Sequence, residues 1–195
     1  LHLCEIRAHW EDTPLRQRGV QRLQRLIRHT AGIYGFLTTL TRQARTQGHT
    51  LAWWETGARC ARRYHYQGAW HNLRPDALFE YQAQEHCHRV WLEWDEGSMR
   101  RSQLQTKLEA YATYVRSRQW YAEAPRLPLL MFVVPEYDQE VRVAEIVQRV
   151  LGKTSMVAYI TTAALLTQRG PLSEIWKLVL PTAESKHDAH RVCWI

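Results

Sequence analysis

The sequence lacks the features of several common protein classes. No uninterrupted apolar run reaches the roughly 18 residues that a membrane span needs, and the longest candidates are residues 127–134 and 156–166. The four cysteines form no CxxC pair, so we expect no zinc site of the usual spacing and a reduced, cytoplasmic protein. Neither a nucleophile elbow nor an activated-cysteine signature is present, which argues against Ser-His-Asp and Cys-His catalysis.

Linkers and repeats are also missing. No segment rich in Gly, Pro or Ser divides the 195 residues, so one α/β domain is predicted. Within it we expect an N-terminal helical part over residues 1–48, a core over 49–166 and a C-terminal extension over 167–195. The predicted order of elements is helix, three strands, helix, strand, helix, strand.

Positive charge is in excess. Lys and Arg number 26 against 19 Asp and Glu, the net charge is +7, and most of the cations are Arg. Guanidinium groups bind phosphate oxygens bidentately, so this surface favours a polyanion such as DNA. A genome that uses Arg in place of Lys is the alternative explanation.

Two groups of arginines stand out. The first follows helical spacing within residues 16–47, a segment that ends at Gly48 and in which Gly32 and Gly35 leave open one helix or two. The second lies among tyrosines in residues 57–68, which is either a half-packed loop or a surface that stacks bases. The first group, on the predicted helix, forms either a solvated face or a row of contacts to backbone phosphates. The candidate DNA contacts are Arg18, Arg22, Arg25, Arg59, Arg62 and Arg63.

Apolar and polar residues alternate in two segments, residues 73–81 and 89–95, and this pattern predicts two strands. Side chains of a strand point alternately to its two faces, so Glu93 and Asp95 share one face. If residues 82–88 form a hairpin, Asp76 of the first strand lies beside Asp95 of the second.

Three carboxylates placed this close repel each other. The usual remedies are a divalent cation, a raised pKa or a neighbouring base. We therefore predict that Asp76, Glu93 and Asp95 hold a hard metal ion, Mg²⁺ or Mn²⁺. Asp76 follows Pro75, so a turn cap is its alternative role.

Lys107 stands at the border of the apolar stripe of the following helix, which includes Leu104, Leu108 and Tyr111. A structural ion pair with Glu93 or Asp95 suits this position.

These pieces resemble the PD-(D/E)XK nuclease fold, an antiparallel three-strand meander that a helix connects to a parallel strand. The resemblance implies an α-β-β-β-α-β core, a mixed central sheet flanked by helices, and metal-dependent DNA endonuclease chemistry. The motif is carried by Pro75-Asp76 and Glu93-Trp94-Asp95. Asp95 stands where the family has Lys, and Lys107 with Tyr111 has the spacing of the helical Gln-x-x-x-Tyr motif of exonuclease branches. The resemblance thus implies that Asp76, Glu93 and Asp95 are catalytic residues that hold the metal. It also makes Lys107 the substitute for the family's lysine, with an ammonium that steadies the attacking water or the phosphoryl charge.

The chain also resembles the replication-relaxation family of plasmid and mobile-element proteins over roughly residues 1–150. The matching pieces are residues 28–36 with Leu40, 73–77 (LRPDA), 92–97 (LEWDEG), 107–111 (KLEAY) and 127–128. The resemblance implies DNA handling in replication, relaxation or mobilisation, and an upstream winged-helix domain that we expect to be absent here. The resemblance leaves two functions open, an active endonuclease or an inactive module for DNA or protein docking. It also allows a partner protein from a replication, mobilisation or transposition complex, and a homodimer.

Overall fold

A single long helix begins the part of the chain that the structure describes. The computed structural model describes residues 14–180 and 191–195, with side chains of the first helix described from residue 19 onward. Helix α1 (Pro14–Thr46) is continuous through Gly32 and Gly35, and Gly48 follows it with a φ of +72°. One helix is therefore present where the sequence allowed one or two.

The remaining elements alternate strands with shorter helices. The strands of the described residues are β1 (Thr50–Thr56), β2 (Arg62–Tyr66), β3 (Ala69–Leu73), β4 (Ala77–Ala83), β5 (His86–Trp94), β6 (Leu129–Val134), β7 (Ala158–Thr162), β8 (Trp176–Val179) and β9 (Arg191–Val192). The further helices are α2 (Arg101–Ser117), α3 (Tyr137–Leu151) and α4 (Ala163–Arg169). Within residues 14–180 and 191–195, no helix is both long and apolar enough to cross a bilayer.

Seven strands form one mixed sheet in the order β1-β4-β5-β6-β7-β8-β9. Strands β5, β6 and β7 run parallel to one another, and the other neighbours are antiparallel. The predicted mixed α/β class is therefore confirmed. Strand β8 and its neighbour β9 show that residues 167–195, predicted as an extension, add strands to this sheet.

Strands β2 and β3 form a separate hairpin, where one alternative from the sequence was a half-packed loop. Gln67 and Gly68 make the tight turn, with φ values of +49° and +80°, and such a turn matches the twist of the flanking strands. The strands alternate, since Tyr64 is buried while Arg63 is exposed.

Each face of the main sheet carries its own core. The cluster on the side of α2 and α3 includes Trp91, Tyr111 and Phe132. The cluster on the side of α1 includes Phe36, Phe79, Leu92 and Trp176. Because alternate residues of β4 and β5 point to opposite cores, the side chain of each residue in these strands is assigned to one face.

The register between β4 and β5 corrects one prediction. A two-residue turn joins Ala83 to His86, and the pairing runs from there to Ala77 opposite Leu92. Continued by one residue, this register sets Asp76 beside Glu93, whereas we predicted Asp95 as its neighbour. The tight turn, in place of a longer loop over residues 82–88, is the reason for the difference.

Candidate functional site

Glu93 is the most deeply buried carboxylate near the ends of β4 and β5, with 1% of its surface exposed. The hydroxyl of Tyr111 donates a hydrogen bond of 2.5 Å to Oε1, and the Lys107 ammonium forms an ion pair with Oε2. Both partners come from α2, where they stand one helical turn apart. Burial raises the pKa of Glu93 to about 8, because desolvation of the carboxylate outweighs the attraction of the ammonium.

Lys107 also reaches the second carboxylate. Its Nζ lies 3.9 Å from Oδ2 of Asp76. Burial opposes the charged form of Lys107, but the attraction of Glu93 and Asp76 is larger, so the pKa of this lysine is raised. The structure therefore brings Asp76, Glu93, Lys107 and Tyr111 together on the α2 side of the sheet.

Asp76 has two more partners. His29 of α1 places Nε2 at 3.3 Å from Oδ1, and the backbone amide of Trp94 donates a hydrogen bond of 2.9 Å to Oδ2. Burial raises the pKa of Asp76, but the contacts with His29, Lys107 and the Trp94 amide outweigh it, so the net pKa lies below the usual value. The contact with Asp76 in turn raises the pKa of His29.

Asp95, the third predicted carboxylate, has a different environment. It follows β5 directly and is buried, and its Oδ1 accepts a hydrogen bond of 2.9 Å from the amide of Gly97. Gly97 has a φ of +77°, so this contact closes a turn that favours glycine. Among the described residues, Asp95 makes no ion pair with Lys107.

An open cavity of about 510 Å³ lies between α1 and these strand ends. We call it the α1 groove. Asp76, Asp95, Lys107 and His29 line it, together with the exposed residues Arg22 and Arg25 of α1. Arg18, the third predicted arginine of this stripe, has a side chain outside the described part of the structure.

Gly32 sets the distance between α1 and β5. A Cβ at this position would lie 2.2 Å from Cε2 of Trp94, so only glycine lets the helix approach the indole this closely. The indole N–H donates a hydrogen bond of 2.8 Å to Glu96, whose other oxygen lies 3.5 Å from Nε of Arg28. This contact holds the stripe of Arg22, Arg25 and His29 over the strand ends.

The remaining predicted arginines lie away from the α1 groove, at and before the β2–β3 hairpin. Arg62 forms ion pairs with Glu123 at 2.6 Å and Glu55 at 3.5 Å, so its charge is largely balanced within the protein. Arg63 is exposed and stacks over the ring of Trp70, and Arg59 is exposed.

Sequence reasoning missed His29 as a site residue. The available signal was its position on α1, one turn after Arg25 and two turns after Arg22, which places all three on one helical face. Its contact with Asp76 depends on how α1 packs on the sheet, and that packing is not visible in local sequence.

The carboxylates, as arranged, do not fit a magnesium ion. Each oxygen of Asp76 and Glu93 already has a partner, and Lys107 supplies the positive charge between them. Asp95 directs one oxygen to the Gly97 amide. In the described ranges, no group of three His, Cys, Asp or Glu side chains is arranged to hold a metal ion.

Comparison with known proteins gives one match. No curated protein and no solved structure matches the chain. The family model described as replication-relaxation matches residues 7–130, which include the α1 groove, the β2–β3 hairpin and α2. Because this match covers more than half of the chain, the protein belongs to the replication-relaxation family.

Proposed function

We propose that this protein binds DNA during plasmid or mobile-element replication or relaxation, and that the α1 groove contacts the DNA backbone. The observation that carries the proposal is the position of two exposed arginines, Arg22 and Arg25, above Lys107 and His29 in one open groove. Arginine binds phosphate oxygens bidentately, and the net charge of +7 attracts the polyanion. Membership of the replication-relaxation family supports the cellular role.

The acidic residues of the groove do not oppose this role. Lys107 and His29 balance Asp76 and Glu93, and Arg28 balances Glu96. A phosphate that enters the groove therefore meets Asp76 and Glu96 with their charge already paired, and Asp95 with one oxygen bound to the Gly97 amide. The guanidinium groups of Arg22 and Arg25 project from the exposed face of α1.

The test is DNA affinity across a salt series. We expect the wild-type affinity to fall steeply with salt, with a log–log slope of about −0.9 for each duplex phosphate neutralised. Replacing Arg22 and Arg25 together by Gln should weaken binding and make the slope less steep. The matched control replaces Arg42 and Arg45, which are exposed on the same helix but line a different cavity.

The control variant has the same loss of charge, so equal effects of the two pairs would contradict the α1 groove as the contact surface. A wild-type protein without affinity for DNA, or with affinity that does not depend on salt, would contradict the DNA-binding proposal. That outcome would favour the protein-docking module.

The second candidate is a divalent-metal-dependent endonuclease of PD-(D/E)XK type. It is favoured by one observation, that Asp76 and Glu93 lie side by side on one sheet face with Lys107 against both. An ion would have to compete with Lys107 for these carboxylates. If an ion displaces Lys107 from them, Mg²⁺ or Mn²⁺ should raise the melting temperature and support nicking of supercoiled plasmid. Glu93→Gln should remove both effects. If the wild type shows neither the melting shift nor nicking, this candidate is eliminated.

A further inference from the structure

The β2–β3 hairpin presents an exposed face that packing does not explain. Arg63 pairs with Asn72 and His65 pairs with Trp70, and all four side chains are on the solvent side. We call these four residues the hairpin face. Trp70 has 62% of its surface exposed, which is unusual for the largest apolar side chain.

The opposite face of the same hairpin anchors it. Tyr64 is buried, its hydroxyl donates a hydrogen bond of 3.1 Å to the carbonyl of Ala110 in α2, and its ring packs edge-on against Tyr114. The ring of His71, which pairs with Tyr64 across the hairpin, stacks on the ring of that tyrosine. The hairpin is therefore held in place without help from Trp70, and the exposed indole contributes little to the fold.

The hairpin face has the chemistry of a stacking platform for bases. The guanidinium of Arg63 lies 4.4 Å from the centroid of the Trp70 ring, and His65 contacts the same indole edge-on at 5.5 Å. An aromatic ring with a guanidinium over one face binds the π face of a base on its other face, and the cation attracts the neighbouring phosphate.

A second open cavity has one lining residue in common with the hairpin face and one in common with the α1 groove. Its volume is about 530 Å³, and Asn72 lines it at the end next to the hairpin face. Its polar and charged lining residues carry no carboxylate: they are Asn72, Arg74, Ser102, Gln103, Thr106 and Lys107. Lys107 also lines the α1 groove, so the two cavities share this lysine.

We propose that this surface binds single-stranded DNA, with one base stacked on Trp70 and the backbone following the second cavity past Arg74 to Lys107. The proposal rests on the proposed DNA-binding function and adds the form of DNA. Single strands are favoured because a base presents its π face to an indole only when it is unpaired and unstacked, whereas duplex DNA presents phosphates and base edges.

The experiment measures fluorescence anisotropy of a labelled oligothymidine and of a labelled duplex. We expect Trp70→Ala to weaken binding of the single strand by roughly tenfold or more, the scale of one lost stacking contact. Duplex affinity and the salt slope should not change, because no phosphate contact is removed. Trp70→Phe should keep most of the affinity, and its exposed position makes both variants compatible with folding.

Two further variants sharpen the test. Trp54→Ala is the matched control, because Trp54 is also exposed but lies on the α1 side of the sheet, against Tyr34. Arg74→Gln should weaken single-strand binding and lower the magnitude of its salt slope by about 0.7, the value for one phosphate of a single strand.

The outcomes separate this inference from the proposed function. If the wild type binds duplex DNA but Trp70→Ala leaves single-strand affinity unchanged, the inference is overturned and the proposed function stands. An equal loss from Trp54→Ala, or equal loss of duplex and single-strand binding in Trp70→Ala, would also overturn it. So would a Trp70-dependent preference for oligouridine over oligothymidine, because the ligand would then be RNA. No binding to any DNA would contradict the proposed function itself.

Discussion

Lys107 and Glu93 form an ion pair inside the fold, and the same ammonium lies 3.9 Å from Asp76. One lysine on α2 therefore contacts carboxyl groups from two adjacent strands, and it compensates the charge of both once Glu93 is ionised. The positive charge beside Asp76 and Glu93 therefore comes from a side chain, whereas the third predicted carboxylate, Asp95, is bound by the amide of Gly97. The ion pair also explains why the lysine lies at the border of the apolar stripe of its helix, where a charge is otherwise costly.

Above about pH 8, where Glu93 is ionised in the folded state, replacing Lys107 by Met should destabilise the protein by about 3 kcal/mol, since the variant leaves the buried carboxylate without its cation. Urea unfolding followed by circular dichroism measures the change. Glu93→Gln in the Lys107→Met background should recover part of the loss, because the uncompensated charge is then gone. Lys153→Met, at an exposed position, is the control and should have no effect; an unchanged midpoint for Lys107→Met would contradict the ion pair.

The raised pKa of Glu93 gives a pH dependence with a defined sign. The folded state holds the proton up to about pH 8, whereas the unfolded chain releases it near the usual value of 4.5. The folded state therefore binds more protons between these values, and stability should fall as pH rises, by up to about 1.4 kcal/mol per pH unit. Glu93→Gln should remove this slope in unfolding experiments at several pH values. Identical slopes in the two proteins would disprove a raised pKa.

His29 and Asp76 form a second titrating pair. The carboxylate raises the pKa of His29 above the usual 6.5, so the stability from this contact is present at low pH and is lost as pH rises through the raised value. We expect NMR titration of the imidazole to give a pKa above 6.5 in the wild type and a lower one in Asp76→Asn. A wild-type value at or below 6.5 would show that the two side chains do not interact.

Two of the three glycines of α1, Gly32 and Gly35, should respond oppositely to substitution. Gly32→Ala puts a methyl group into the indole of Trp94 and should cost about 1–3 kcal/mol, as overpacking usually does. A Cβ at Gly35 would have no heavy atom within 4 Å, so Gly35→Ala should stabilise the helix by up to about 1 kcal/mol. Thermal unfolding compares the two, and equal effects would argue against the close packing of α1 on β5.

The strands and the position of Lys107 were accessible from sequence because both follow from local periodicity. Alternation in β5 assigns Glu93 to one face, and the apolar stripe of α2 places Lys107 and Tyr111 next to it. The neighbour of Asp76 was predicted wrongly, since the register depends on the turn at residues 84–85 and a small change in the turn shifts every pair.

Long-range packing accounts for what the sequence did not reveal. The contact of His29 with Asp76 requires α1 to lie against β5, and the close approach of Gly32 to Trp94 is part of that packing. The β2–β3 hairpin was also ambiguous, because Tyr64 is buried only through its contacts with α2. Neither contact produces a periodic pattern within its own segment.

The location of bound DNA tests the account most directly, and His29 and His49 report it in one NMR experiment. His29 lies in the α1 groove, whereas His49 lies outside it, with Nδ1 at 2.8 Å from the hydroxyl of Tyr81. We predict that duplex DNA shifts the imidazole signals of His29, raises its pKa further through the added negative charge, and leaves those of His49 unchanged. Signals of His49 that shift while those of His29 stay in place would contradict DNA binding in the α1 groove.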